Sequence, residues 1–428
     1  MRTIVVVAFV LAVACLGGNV WAAGFYLYEF GTPDVGLASA GYTTRAGDAA
    51  TLFTNPAGMT YLEGNQLMAG VQALYGNASF QANADTQVPG GGGNGGNVLG
   101  WLPGGSLFFV SQPAPKDLPN LRLGIGTLSY FGSSLKYSDE WVGRYYLQEG
   151  TLLGFSILPT VAYKFTDWLS VGAGLNAMYG YLKGQAAVNN IDPFLGDGQL
   201  EYKDETWGFG ANVGVLVEPV KGTRVGVTYL SQLKLDFKDT PQFSNLGPGL
   251  TAVLNNRGLL NAPLNLGMIL PNRVMVGVYQ DLGKGWNLML DADWEQWSQF
   301  GKVDVDIEST NPVSLTKTVN YQDTWHIAVG TQYRFSEAWV LSGGFAYDSS
   351  MVSDQNRTVS TPVGAVYRFG VGAQYAIQKN LQLGLAYEFA WGGNLSVDQS
   401  RGPLAGRVAG EFQNSYINFI ALNLNWVF

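Results

Sequence analysis

The segment over residues 416–428 alternates strictly between two sets of side chains. A period of two is typical of a β-strand, because successive side chains point to opposite faces. One face is strongly apolar, and it carries Tyr416, Asn418, Ile420, Leu422, Leu424, Trp426 and Phe428. A tilted strand needs roughly 9–11 residues to cross a bilayer, so this segment is long enough. We therefore expect a membrane-spanning strand, and its aromatic last residue is typical of bacterial outer-membrane barrels.

The first residues predict export from the cytoplasm. Arg2 precedes an apolar run over residues 4–16, which is too short for a membrane helix. Small residues follow this run and favour cleavage after Ala22. We predict a signal peptide over residues 1–22, whose removal takes away the only cysteine, Cys15. A lipid anchor on Cys15 is the less favoured alternative, because this cysteine lies inside the apolar run.

Composition favours a membrane barrel over a soluble enzyme. Charged residues make up 13% of the chain, against about 25% in soluble domains. Hydrophobic residues make up 47%, yet no later segment approaches the roughly 18 uninterrupted apolar residues of a membrane helix. The apolar side chains must therefore be distributed among short alternating strands. A net charge of −8 argues against binding to nucleic acid.

Segments with polar or small residues opposite apolar ones recur after residue 64. They number about fourteen, an even count that suits a bacterial single-chain barrel. Their approximate centres are residues 70, 108, 125, 160, 176, 211, 230, 277, 290, 328, 343, 369, 385 and 421. The sequence therefore predicts an all-β fold, a transmembrane antiparallel β-barrel of about fourteen strands. Periodicity alone leaves open a water-soluble sandwich, which the signal peptide and the strand length disfavour.

Turn signals divide the connections between strands into two classes. Short turns, expected to face the periplasm, lie at residues 165–168, 281–284 and 378–380. Longer connectors, expected outside the cell, lie at residues 81–100, 132–150, 240–270, 350–362 and 392–410.

Residues 23–63 lack sustained alternation, although they are rich in glycine and alanine. A segment of this kind can fold inside a wide barrel as a plug. We therefore divide the chain into a signal peptide (1–22), an N-terminal plug or hatch (23–63) and a transmembrane barrel (64–428).

The plug candidate contains an Asn-Pro-Ala motif at Asn55, Pro56 and Ala57, within the segment 48–59. This segment resembles the hatch signature of the FadL-type outer-membrane transporters for long-chain fatty acids and other hydrophobic compounds. Asn before Pro favours turn initiation, so the motif is expected to shape the hatch and its gating geometry.

The resemblance extends along most of the mature chain, including segments 293–300 and 321–330. It implies a fourteen-stranded barrel with an N-terminal hatch and passive uptake without a cofactor. It also implies capture of the ligand in an extracellular apolar groove, transfer to a deeper lumen pocket, and lateral exit through the wall near the third strand.

Residues 121–130 add an expectation at this third strand. Apolar residues occupy odd positions in its first half and even positions from Leu128 onward. A β-bulge within residues 124–127 would keep both sets facing lipid, and it would unpair the backbone locally as a portal requires. We therefore name Gly124 and Gly126 as candidate portal residues. The alternative is a shorter strand that ends near Gly126.

The connector over residues 243–270 is too apolar for water unless it packs or binds something. The helical spacing of its leucines at positions 250 and 254 predicts a short amphipathic helix. The resemblance favours a landing groove for an apolar ligand, with packing of loop on loop as the alternative. The candidate groove residues are Phe243, Leu250, Leu254 and Leu260.

Strand parity predicts that several charged residues face the lumen, namely Arg224, Arg273, Arg334, Arg368, Glu218, Asp348, Glu388 and His326. Arg334 or Arg368 could hold a fatty-acid carboxylate through two hydrogen bonds. We favour instead mutual salt bridges or contacts that anchor the hatch. His326 is the only histidine and is expected to be a hydrogen-bonded filler, so we predict neither a catalytic nor a metal site.

The leading functional hypothesis is uptake of hydrophobic molecules across the bacterial outer membrane, foremost long-chain fatty acids. Aromatic hydrocarbons entering by the same route are the alternative substrate. A polar-solute porin would leave the apolar connector unexplained, and a lipid-active barrel enzyme would need a positioned base. The expected partners are a hydrophobic ligand and outer-membrane lipid, and we expect a monomer.

Overall fold

The computed structural model describes residues 25–113, 118–192, 194–309 and 313–428. The predicted signal peptide and its cleavage site lie outside these described residues. Within the described ranges, no helix is both long and apolar enough to cross a membrane.

The described residues form a closed wall of fourteen antiparallel strands. Strand numbers follow the order of the chain, so they also count the strands within the long loops, whose ranges are given below. The wall consists of β1 (Gln66–Ala82), β2 (Gly100–Ser111), β3 (Leu121–Lys136), β4 (Glu149–Thr166), β5 (Leu169–Val188), β6 (Gly198–Val220), β7 (Thr223–Leu230), β11 (Arg273–Gly283), β12 (Trp286–Glu295), β15 (Thr324–Arg334), β16 (Trp339–Asp348), β17 (Val366–Gln378), β18 (Leu381–Ser400) and β19 (Arg407–Val427). The last strand pairs with the first, from Gln66 opposite Val427 to Ala82 opposite Gly410. Every predicted strand centre falls within a wall strand, so the predicted fold class is confirmed.

Side chains of the wall alternate as the closing segment predicts. Along β19, Ile420, Leu422, Leu424 and Trp426 are exposed on the outer surface, whereas Phe419, Ala421, Asn423 and Asn425 are buried inside. The same parity holds around the wall, since Trp325 and Ile327 are exposed while His326 between them is buried. The outer surface is therefore apolar, as lipid requires.

The two ends of the barrel carry different connections. The predicted short turns are confirmed, because β4 and β5, β11 and β12, and β17 and β18 are each separated by only two residues. We call this the short-turn end and the opposite one the long-loop end. The predicted connector 392–410 is wrong in extent, because hydrogen bonding carries β18 and β19 onward and leaves only residues 401–406 as the loop. A further long connection, residues 296–323, is missed by the sequence prediction.

Residues 25–62, the N-terminal segment, pack against the inner face of the wall and are almost entirely buried. They contain α1 (Thr32–Gly36), α2 (Thr51–Thr54) and a 3₁₀ helix (Pro56–Tyr61). Wall glycines allow this close approach, because a Cβ at Gly344 would overlap the carbonyl group of Leu37. One at Gly226 would overlap the carbonyl group of Thr43.

The long loops contain regular structure of their own. Between β7 and β11 lie β8 (Leu233–Asp239), β9 (Gln242–Ser244), α3 (Pro248–Asn256) and β10 (Leu264–Leu270). Between β12 and β15 lie α4 (Trp297–Phe300), β13 (Lys302–Ile307) and β14 (Val313–Thr318). Four of these strands form a small sheet in the order β14-β13-β10-β8, and β9 pairs with β6. The helix predicted from the spacing of Leu250 and Leu254 is confirmed as α3.

Replacement of Gly344 tests the fit between the wall and the N-terminal segment. We expect Gly344→Val to destabilise the protein by about 1–3 kcal/mol, the usual cost of overpacking, because its side chain meets the backbone at Leu37. Gly343→Val is the matched control, since the nearest atom to a Cβ there is the Gly370 oxygen at 4.0 Å. Equal urea-unfolding midpoints for the two variants in detergent micelles would contradict the expectation.

Candidate ligand route and its internal contacts

The pairing of β2 with β3 is interrupted partway along the wall. The ladder runs from Ser111 opposite Leu123 to Ser106 opposite Leu128. Beyond that point residues 100–105 of β2 pair with β1 and, among the described residues, not with β3. Farther on, the Lys136 N–H donates to the Val98 carbonyl at 2.9 Å. The window is the part of the wall where residues 100–105 of β2 and residues 129–135 of β3 face each other beyond the end of their ladder.

The predicted bulge in β3 is wrong in position. The register with β4 is continuous through residues 124–127 and shifts between Leu128 and Phe131. Leu128 and Tyr130 do not face lipid but are buried inside. Their apolar character matches interior contacts, since the Tyr130 ring lies 4.8 Å from that of Phe53 in the N-terminal segment.

Gly124 and Gly126 face inward below the window. A Cβ at Gly126 would lie 2.6 Å from Phe108 Cδ1 and 2.9 Å from Leu52 Cδ1. One at Gly124 would lie 2.9 Å from Met59 Sδ. These glycines therefore allow close packing of the N-terminal segment, and their assignment to a portal stays a prediction.

The start of the N-terminal segment occupies the window from inside. Tyr26 forms an antiparallel bridge with Phe131. The Leu27 N–H donates to the Tyr130 carbonyl at 2.8 Å, and the Gly132 N–H donates to the Phe25 carbonyl at 3.1 Å. Residues 25–27 thus supply backbone partners to the edge of β3 that β2 has left.

A continuous apolar cluster joins the long loops to the window. The Phe25 ring lies 5.9 Å from that of Phe131, 5.4 Å from that of Trp297 and 4.8 Å from that of Phe300. The same cluster includes buried side chains of α3, β8 and β10, namely Leu250, Leu254, Leu233, Leu235, Phe237, Leu264, Leu266, Met268 and Leu270. Apolar contacts therefore extend from the loop surface to the wall opening.

The four predicted groove residues all contact this cluster. Leu250 and Leu254 are buried in it, whereas Phe243 and Leu260 are half-buried and pack against it. In this conformation the loop side chains pack on one another, which is the alternative that the sequence left open. Whether a ligand displaces them stays a prediction.

The Asn-Pro-Ala motif joins two helices of the N-terminal segment to the wall. The Asn55 amide donates to the Thr43 carbonyl at 2.8 Å and to the Val215 carbonyl at 3.1 Å, and its oxygen accepts from the Ala57 N–H. Pro56 and Ala57 lie against Gly172, where any Cβ would collide with their backbone. The motif therefore shapes a buried turn against the wall, and its role in gating stays a prediction.

Two buried arginines hold an ion-pair network at the contact between segment and wall. Arg368 binds Asp348 at 2.6 Å, Glu388 at 2.9 Å and Glu29 of the N-terminal segment. Arg273 binds Asp293 at 2.7 Å and lies 3.2 Å from a Glu295 carboxylate oxygen.

The Tyr28 ring lies between these two arginines, 4.1 Å from Arg273 and 5.3 Å from Arg368, measured from each guanidinium carbon to the ring centroid. The bonds of Arg368 favour the salt-bridge interpretation, because its guanidinium is fully buried among carboxylates and unavailable to a ligand here.

His326 links the wall to the N-terminal segment. Its Nδ1 lies 2.5 Å from an Asp348 oxygen, and its Nε2 lies 2.7 Å from the Ser39 hydroxyl. This order of side chains is that of a serine-hydrolase triad. However, the Ser39 hydroxyl donates to the Ala38 carbonyl at 2.5 Å, and all three side chains are at most 2% exposed. The arrangement acts as a contact between segment and wall in this conformation.

Sequence reasoning missed three acidic residues on β12. Asp291 accepts hydrogen bonds from the Gly41 and Thr43 N–H groups and from the Thr43 hydroxyl. Asp293 and Glu295 bind Arg273, as described above. Their alternate spacing on one strand places all three on the lumen face, and this parity signal could have found them.

A cavity of about 260 Å³ lies at the short-turn end, beneath the N-terminal segment. Its polar lining includes Arg45, Arg224, Arg334, Gln332, Gln374 and Gln382. Arg224 is fixed there, since it donates to the carbonyl groups of Thr44 and Arg45. Arg334 is exposed, so of the two predicted carboxylate contacts it is the one that a ligand can reach in this conformation.

Comparison with known proteins identifies relatives of similar length. A family model described as "Outer membrane protein transport protein (OMPP1/FadL/TodX)" matches residues 13–428. The "Long-chain fatty acid transport protein" of Escherichia coli O6:H1 is 27% identical over 426 residues, and the match covers 93% of each chain. The "Outer membrane protein P1" of Haemophilus influenzae strain Rd is 24% identical over 467 residues, covering 98% of each.

Solved structures show the same fold. A Pseudomonas aeruginosa FadL homologue superposes with a TM-score of 0.84 at 20% identity, covering 95% of this chain and 100% of that chain. The Ralstonia pickettii toluene transporter TbuX superposes with a TM-score of 0.66 at 19% identity, covering 94% and 99%.

Replacement of Asn55 tests the role of the motif. We expect Asn55→Ala to weaken the attachment of the N-terminal segment by about 1–3 kcal/mol, because it removes the side-chain donor to the buried Thr43 carbonyl and to the Val215 carbonyl of the wall. Leakage of a small polar solute through liposomes containing the variant should rise. Asn77→Ala removes an amide on the outer surface and should leave leakage unchanged. Equal leakage for both variants would count against the role of Asn55.

Proposed function

Because this chain belongs to the family of outer-membrane transport proteins that includes OMPP1, FadL and TodX, we propose that it takes up hydrophobic molecules, foremost long-chain fatty acids. The barrel lies in the bacterial outer membrane. In such barrels short turns face the periplasm and long loops face outward, so a ligand arrives at the long-loop end.

The observation that carries the proposal is the apolar cluster that connects the long loops to the window. Ligand capture occurs at the loop surface around α3, where Leu250 and Leu254 exchange contacts with one another for contacts with the ligand. Burial of an alkyl chain contributes about 25 cal/mol per Å² without directional bonds, so such a surface suits a hydrophobic cargo. The ligand then replaces Phe25 against Trp297 and Phe300, within the lumen.

Exit is lateral, through the window into the membrane. The ladder between β2 and β3 is interrupted there, and among the described residues it is residues 25–27 that bond to the freed edge of β3 from inside. The N-terminal segment is therefore the hatch, and displacement of Phe25 and Tyr26 opens the path.

The proposal also specifies the chemical class of the substrate. The name of the E. coli relative favours long-chain fatty acids, while the toluene transporter with the same fold favours aromatic hydrocarbons as the alternative. A polar-solute porin remains a weaker alternative, because the N-terminal segment contacts wall strands on opposite sides of the lumen, for example β2 through Ser106 and β12 through Asp291. A lipid-active enzyme is weaker still, since the named relatives are transport proteins.

Closure of the window should stop uptake without unfolding the barrel. Gly105 points outward beside the window, and the nearest atom to a Cβ there is the Gly70 oxygen at 3.6 Å, so Gly105→Trp fits and covers the opening. We expect fatty-acid uptake by cells to fall at least about tenfold, if lateral exit is the main route. Gly343→Trp introduces the same side chain on a fully paired part of the outer wall and should retain uptake. Normal uptake by the Gly105 variant would refute the portal.

Arg334 lies at the short-turn end, away from the window, so its replacement tests whether a bound fatty acid also reaches that end of the lumen. If Arg334 binds the carboxylate, Arg334→Gln should weaken fatty-acid binding about tenfold, since a charged hydrogen bond contributes about 1.5 kcal/mol or more. Toluene binding should not change, because toluene has no charge. Isothermal titration of both ligands against both proteins measures this difference. Equal fatty-acid affinity of the variant and the unaltered protein would show that Arg334 does not bind the carboxylate. Tighter binding of toluene than of the fatty acid by the unaltered protein would favour the alternative substrate.

A further inference from the structure

The contact between Glu29 and Arg368 has more negative charge than its cation can neutralise. Arg368 binds three carboxylates, two of them through the same Nη1 atom, which contacts Glu29 and Glu388. The two carboxyl groups therefore converge on one nitrogen atom, Glu29 from the N-terminal segment and Glu388 from β18. Glu29 is 5% exposed and Glu388 is 1% exposed, so water does not separate them.

Other groups do not supply the missing positive charge. Within the described residues, the charged and titratable groups around this pair are Tyr28, Asp34 and Tyr42 of the N-terminal segment, Arg273 of β11, Asp293 and Glu295 of β12, His326 of β15, Asp348 of β16 and Arg368 of β17. Arg273 is already bound to two acids of its own. If His326 is protonated, it and Arg368 together carry two positive charges. These two charges face three negative ones, on Glu29, Glu388 and Asp348.

One proton on the glutamate pair makes the group neutral. Two carboxylates in direct contact and out of water cannot both ionise without a large cost, and such a pair commonly shares one proton. We propose that Glu29 and Glu388 form a proton-binding site that attaches the N-terminal segment to the wall, and that loss of this proton releases the segment. The inference rests on the proposed role of this segment as the hatch.

The direction of the pH effect follows from the site. In the protonated pair one carboxyl group donates a hydrogen bond to the other, which joins the segment to β18. As the pH rises and the proton leaves, both groups become anionic and repel each other while competing for one Arg368 nitrogen. The attachment through Glu29 weakens, and Tyr28, which stacks on His326 at 4.2 Å between ring centroids, moves with it. The barrel should therefore be closed at low pH and more open at high pH.

Release of a polar dye from liposomes containing the purified protein tests the site. Between about pH 5 and pH 9, the ratio of open to closed protein should rise by at most about tenfold per pH unit, the limit for release of one proton. Glu29→Gln and Glu388→Gln each replace the shared proton by a permanent amide donor. Both variants should stay closed at high pH and lose the pH dependence.

Two controls separate this site from general loosening. Asn55→Ala removes an uncharged contact between the segment and the wall, and it should raise leakage at every pH while retaining the pH dependence. Glu140→Gln changes an exposed loop carboxylate and should behave as the unaltered protein. The proposal is overturned if the unaltered protein shows no pH dependence, or if both glutamine variants retain it.

Fatty-acid binding at one fixed pH keeps this proposal separate from the proposed function. If the protein binds no hydrophobic ligand but its leakage depends on pH through Glu29 and Glu388, the transport assignment fails and the proton site stands. If it binds the ligand and both glutamine variants keep the pH response, only the proton site fails.

Discussion

Closure of the wall is the constraint on which the rest of the structure depends. Inside lipid a backbone group finds no water, so each strand must pair on both sides. The seam between β1 and β19 meets this demand from Gln66 opposite Val427 to Ala82 opposite Gly410, with one register shift between Asn77 and Ser79. The window is the place where two neighbouring strands separate, and residues 25–27 satisfy the freed edge of β3 from inside. The wall and the N-terminal segment therefore complete one another, because removal of either leaves unpaired backbone.

The interior is held by polar contacts rather than by apolar packing alone. Four polar contacts join the N-terminal segment to the wall. They are made by the side chains of Asn55, Asp291, His326 and Arg368. A buried ion pair contributes little net stability once desolvation is counted, but breaking it is costly. Such contacts specify where the segment lies. The aromatic cluster near Phe25 is the surface for which the proposed hydrophobic ligand would compete.

Much of this architecture could be predicted, because the period of two and the lumen parity depend only on local side-chain chemistry. Arg368, Asp348 and His326 face inward for that reason, and α3 follows from the spacing of Leu250 and Leu254. The error in the predicted position of the β3 bulge also has a physical origin. Parity predicts that an apolar residue faces lipid. Leu128 and Tyr130 instead lie in an apolar interior to which the N-terminal segment contributes Tyr26 and Phe53. Glu29 could not be assigned to Arg368 from the sequence, since the partners are 339 positions apart.

The extension of β18 and β19 beyond their predicted ends has a consequence for where capture takes place. These strands contain 20 and 21 residues. At about 3.4 Å per residue and a tilt near 45°, they rise roughly 50 Å, whereas a whole bilayer with its headgroups is about 40–45 Å thick. The tip of this hairpin therefore stands in water above the lipid headgroups. In the proposed uptake, a hydrophobic molecule would therefore meet the protein before the membrane, and the barrel would shelter it from the polar headgroup layer.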